Sequence, residues 1–162
     1  MDYDVEPLEP SIWLEQLRNL GAWPQASEEG LAPSLRRAFH LVQLAPRPLR
    51  HIVACNVSEE QFDRWVDTGA MLSAAVALIG DELSYTLSHM EQAYRVEAEV
   101  WLPNECQVGR AAEGSPAHAL FNAWLACLCA LQQPGGRLAA ETASLPVRRK
   151  SRSGPRRKLT EH

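Results

Sequence analysis

The chain has 162 residues, 46 % of them apolar and 22 % charged, with a formal net charge of −4, enough for one modest domain with a sizeable core. No stretch approaches the roughly 20 apolar residues of a membrane span, and the opening "MDYDVEPLEP" is acidic, without the apolar run of a signal peptide. Cysteine is sparse, with Cys55, Cys106, Cys127 and Cys129 alone, so a disulfide framework is not expected and a reducing, cytoplasmic setting is.

Residues 1–10 read as a flexible lead-in. "SIWLEQLRNLG" follows as a short helix, with Ser11 as its cap, Trp13, Leu14, Leu17 and Leu20 as its apolar stripe, and Gly21 at its end. Residues 22–33 read as a loop. A second helix starts at Ser34 and turns Leu35, Ala38, Phe39 and Val42 inward. Prolines 46 and 48 break it. A third helix is expected over about Leu49–Cys55 and a fourth over Ser58–Asp67. Ser58 caps the fourth, with Glu59 and Glu60 in the first turn, where the helix dipole favours acids. Residues 70–79 give a fifth, small-residue-rich helix expected to be buried.

The period then shifts from 3.6 to 2. "LSYTLSHM" alternates Leu83, Tyr85 and Leu87 against Ser84, Thr86 and Ser88. "YRVEAEVWL" alternates Tyr94, Val96, Ala98 and Val100 against Arg95, Glu97, Glu99 and Trp101. These predict two antiparallel strands, each with one buried face. "CQVGRAAEG" supplies a shorter third strand. Ser115 and Pro116 then open a long helix whose apolar face holds Leu120, Ala123, Trp124, Cys127, Leu128 and Leu131.

The fold expected is therefore α+β: a helical N-terminal region, a three-stranded antiparallel sheet packed by a long C-terminal helix, and a disordered basic tail. Its divisions are 1–10, 11–69, 70–133 and 134–162. Whether residues 11–80 form a separate domain stays open at this level.

Charge is unevenly placed. Residues 141–162 hold seven cations (Arg148, Arg149, Lys150, Arg152, Arg156, Arg157, Lys158) and two acids, a net of +5, leaving nine cations and eighteen acids, −9, on residues 1–140. The tail can meet nucleic-acid phosphates or an acidic partner. It has no interleaved aromatic for base stacking.

"IVACNVSEEQFDRWVDTG" (52–69) resembles the helix-turn-helix segment of small bacterial and phage regulators. Ile52 and Cys55 match the packing of the first helix, Asn56 and Val57 the turn, and Phe62 and Trp65 the seat of the second helix. The resemblance implies a dimeric DNA reader using Gln61 and Arg64. The charges oppose it: Glu59, Glu60, Asp63 and Asp67 share the exposed face, and carboxylates are repelled by DNA. Those four acids suit a protein partner instead. Residues 70–133, ending in "SPAHALFNAWLACLCAL", resemble the α-β-α sandwich domains of uncharacterised phage and prophage proteins. Their α-β-β-β-α order is also similar to that of double-stranded-RNA-binding domains. Such a domain needs lysines at the start of the last helix, where this chain has Ser115, Pro116, Ala117 and His118.

No histidine stands at metal-ligand spacing, and no glycine-rich phosphate loop occurs. No catalytic residue, metal or cofactor is expected. The function expected is a non-catalytic bacterial adaptor of phage or mobile-element type, with an acidic body and a basic tail. A protein partner comes first, nucleic acid through the tail second, and a homodimer is compatible; no membrane association is expected. The alternatives are a helix-turn-helix regulator and an enzyme of unrecognised type, the latter requiring polar groups that converge near Tyr85, His89 or Arg110.

Overall fold

The computed structural model describes residues 5–22, 28–91, 95–103 and 108–131. The basic tail, Tyr94 and Cys106 lie outside the described residues. The architecture is α+β: helices α1 (Pro10–Gly21), α2 (Glu28–Gln43), α3 (Glu59–Asp67) and α4 (Met71–Ile79), strands β1 (Ser84–Met90), β2 (Arg95–Trp101) and β3 (Val108–Glu113), then helix α5 (Pro116–Leu131). The sheet is antiparallel in the order β1-β2-β3.

α1 begins one residue before the expected cap. Pro10 takes the first turn, where its missing N–H costs nothing, and Glu9 holds the cap position without a side-chain bond. Trp13, Leu17 and Leu20 are buried, while Leu14 is only half-buried. α2 begins six residues upstream of Ser34 and carries Pro33 inside it, correcting the loop expected there. The physical reason is burial: Leu31 lies one turn before Leu35 on the same inward stripe, whereas Pro33 faces solvent.

No α-helix forms over Leu49–Cys55. The chain instead makes successive turns, with the N–H of Leu49 donating to the carbonyl of Pro46 at 2.9 Å and that of Ile52 to Leu49 at 2.9 Å. The bonds at Leu49 and Ile52 reach three residues back, as those of turns do. Leu49, Ile52 and Val53 are nonetheless buried, so packing holds the turns in place. The segment that a helix-turn-helix would use as its first helix is thus a run of turns anchored by Leu49, Ile52 and Val53.

α3 forms as expected. The Gln61 N–H donates to Ser58 Oγ at 3.2 Å, the bond of an N-terminal cap. Gly80 closes α4 at φ 67°, and a Cβ there would stand 2.5 Å from the Ala54 carbonyl oxygen, so only glycine suits the position. α4 is buried, as expected, along Met71, Ala74, Ala75, Leu78 and Ile79, but it leaves Leu72 and Ser73 exposed.

One sheet face packs under α5. Ala98 and Val100 of β2 are buried there, opposite Ala111 and Gly109 of β3, on the shared face that alternation dictates. α5 runs over β2 and β3 and barely reaches β1. Tyr85 is therefore exposed and Leu87 half-buried, correcting the buried row expected on β1. The buried apolar side chains of α1 to α5 and the sheet, from Trp13 through Leu35, Phe62 and Leu78 to Val100 and Trp124, form one continuous core.

Candidate functional site

α3 and α4 build the most distinctive surface. Phe62 and Val66 anchor α3 inward, and the Phe62 ring stacks on Phe39 of α2 with centroids 4.5 Å apart, a favourable aromatic pairing. That anchoring turns the acids of α3 towards α2 and solvent. Arg36 of α2 answers two of them: its Nε lies 3.2 Å from Asp63 Oδ1, and its Nη2 donates to Asp67. Glu60 pairs with Arg64 at 3.3 Å, one turn on, as helix neighbours do. Glu59 lies 3.8 Å from His40 Nε2. Each of the four expected partner-face acids thus has a basic neighbour from its own chain. Such exposed pairs contribute about 0–1 kcal/mol each, so a competing partner could take them over at little cost. Of the two DNA-reading candidates, Gln61 is half-buried and Arg64 is exposed with its guanidinium on Glu60. The tail cations Arg148–Lys158 lie outside the described residues.

Between α3 and α4 runs an open groove of about 540 Å³. Trp65, Leu72, Val76 and Ala77 line it, and Asn56, hydrogen-bonded to Asp81, stands at its rim. Leu72 is exposed while Trp65 is half-buried, so the groove offers apolar surface to solvent. Sequence reading missed it because α4 is apolar all round, which hides which stripe faces the core. The spacing of Leu72 and Val76, one turn apart, is the signal that remains. A second apolar groove of about 540 Å³ lies between α1 and α2, lined by Ile12, Leu41 and Leu44 with Arg37 and His40 beside them.

The residues proposed for an enzyme do not converge. Arg110 lies on the open face of the sheet, its Nε 2.7 Å from Glu99 Oε1. Tyr85 and His89 lie across from Val100 and Val96, on the opposite face by the alternation of strands. None of the three lines either groove. Ser115 Oγ stands 2.9 Å from His118 Nδ1, a pairing that invites a nucleophile reading. That hydroxyl also accepts the His118 backbone N–H at 3.3 Å, so it serves as the α5 cap. His118 Nε2 and Trp124 Nε1 are buried without a hydrogen-bond partner.

Cys55, Cys127 and Cys129 are free thiols. Burial pushes Cys127 up from 9.0 to about 11, against the smaller opposing pull of backbone bonds from Gly109 and Leu102, because a thiolate is costly away from water. Burial likewise raises Cys55 and Cys129, offset at Cys55 by a backbone bond from Val57 and at Cys129 by the charge of Arg18. These are poor nucleophiles at neutral pH. Below the unfolded value, both folded and unfolded chains hold the Cys127 proton, and pH has no effect through this group. Between about 9 and 11 the unfolded chain loses that proton while the fold keeps it. Stability then falls as pH rises, by about 1.4 kcal/mol per pH unit for one thiol. Urea melts in reducing buffer at pH 8 and pH 10 check this: Cys127→Ala should lose less stability between them than the wild-type chain does.

Among the described residues no group of three His, Cys, Asp or Glu side chains is placed to hold a metal ion. No helix among them is long and apolar enough to cross a membrane. In comparisons with known proteins the chain matches no family model, no curated protein and no solved structure.

Proposed function

We propose that this chain is a non-catalytic bacterial adaptor, of phage or mobile-element type and cytoplasmic, that holds a protein partner on its helical body and reaches nucleic acid with its basic tail. The observation that carries this reading is the α3–α4 groove: exposed Leu72 and half-buried Trp65 in an open apolar channel with the Asp81 carboxylate among its lining residues. A groove of that chemistry fits an amphipathic partner helix with apolar anchors flanked by cations. The −9 charge of residues 1–140 steers such a partner in. The tail supplies the second contact, since seven cations within eleven residues suit phosphates.

Two titrations of the full chain test the two halves. An amphipathic Leu/Arg helical peptide should bind, its Leu/Glu counterpart should not, and Leu72→Asp should weaken the first about tenfold or more. Equal binding of both peptides, or no effect of Leu72→Asp, removes the groove from the reading. For the tail, random duplex DNA is titrated across salt concentrations. If all seven cations engage phosphates, the slope of log K on log salt approaches about −6. Replacing all seven by glutamine should abolish it. Binding that survives this replacement transfers DNA contact to the body, where Gln61 and Arg64 become the residues to change.

A further inference from the structure

β1 is an edge strand without the usual protections. Natural sheets guard exposed edges with lysine, proline, bulges or inward charges, because unpaired N–H and C=O groups template pairing with another chain. "SYTLSHM" contains no lysine, arginine, acid or proline, and its register with β2 runs unbroken from Ser84 opposite Trp101 to Met90 opposite Arg95. β2 and β3 both carry charges; β1 does not. Among the described residues no element pairs with its outer edge. α5 leaves its inner face uncovered as well, so Tyr85 and His89 are exposed beside half-buried Leu87, and Met90 is exposed on the other face.

From this we infer that β1 pairs with β1 of a second copy, antiparallel about a two-fold axis at Leu87, to make a six-stranded sheet. The choice of a second copy rests on self-complementarity. A two-fold at the middle residue sets Leu87 against Leu87, Tyr85 against His89, Thr86 against Ser88 and Ser84 against Met90. Every pair joins side chains of the same face. The inner row becomes an aromatic, aliphatic and imidazole ladder, and the outer row pairs the hydroxyls of Thr86 and Ser88, both favourable across strands, with Ser84 against Met90 at its ends. Glu91, the nearest acid beyond the strand, falls opposite Leu83 rather than opposite another acid. The body carries −9 over residues 1–140, so two copies repel over most of their surface. β1 is the strand where they meet without like charges opposed. This pairing is independent of the α3–α4 groove, whose lining residues include none from β1.

Light scattering coupled to size exclusion, on the full chain, reads the outcome. The wild-type chain should be dimeric at about 100 µM, a concentration at which modest interfaces associate. Leu87→Lys sets two ammonium groups face to face on the axis and should raise the dimer dissociation constant about tenfold or more. Its far-ultraviolet dichroism should stay that of the wild type. Leu87→Cys provides a second reading that introduces no charge. Directly opposed residues hold their Cβ atoms about 4.5–5.5 Å apart, wider than the about 3.5–4.5 Å of a disulfide, so a short thiol-bridging reagent should link two chains covalently, and the wild-type chain under the same reagent should not give that product. A monomeric wild type at this concentration overturns the inference. So does a dimer that Leu87→Lys leaves intact, or a dimer that Leu87→Cys fails to cross-link.

Discussion

Gly109→Ala is expected to cost about 3 kcal/mol of stability and lower the melting temperature by about 6–12 °C. β3 crosses under α5 so closely at this position that a Cβ would stand 1.9 Å from the Ala123 carbonyl oxygen and 2.3 Å from the Cys127 backbone nitrogen. Both obstacles are helix backbone, which cannot rotate away as a side chain does. α5 would have to lift from the sheet, opening the layer that holds Ala98, Val100, Leu120 and Trp124. The same contact explains the small residues facing Gly109: Ala123 and Cys127 leave room for the strand to approach. A thermal melt of the purified variant reads the result. A change of less than about 1 °C would mean that α5 slides freely on β3, against the close packing of protein interiors.

Trp13→Ala is expected to cost about 3–5 kcal/mol, a large share of the stability of a domain this size. Trp13 is fully buried, and its indole Nε1 donates to the Leu41 carbonyl at 2.7 Å. It fixes α1 to α2, and with Leu17 and Leu20 it turns α1 towards α5. Trp13→Phe separates the two contributions. It keeps most of the ring volume and removes the donor, while the Leu41 oxygen still accepts the Leu44 N–H at 3.1 Å. The Phe variant should therefore lose only about 1–2 kcal/mol. Urea denaturation followed by dichroism measures both. If the two variants lose the same amount, the hydrogen bond rather than the ring volume holds α1.

The readings that survived are those whose physical cause lies within a few residues. Ser58 caps α3 because its own oxygen reaches the Gln61 N–H. The alternation through Val96, Ala98 and Val100 marks a strand because successive side chains point to opposite faces. The readings that failed needed distant information. Residues 28–33 read as part of a loop, yet they belong to α2, where Leu31 shares the buried stripe of Leu35. The pairing of Arg36 with Asp63 and Asp67 could not be read locally, because Arg36 stands 27 and 31 residues from them. Residues 49–55 have the apolar spacing of a helix, yet they bury Leu49, Ile52 and Val53 as a run of turns.

Local sequence is enough to set the α+β composition, the order of strands and last helix, the α3 cap, and the contrast between an acidic body and a basic tail. Periodicity, capping and charge are local properties, written where they act. The resting place of α5 is different, because it depends on every element that competes for the same cover. By sitting over β2 and β3 it covers Ala98 and Val100 and leaves Tyr85 and Leu87 of β1 uncovered. Packing likewise turns Leu72 of α4 into a groove rather than into the core. A period tells which residues share a face; only whole elements, competing to bury their area, settle which face is covered.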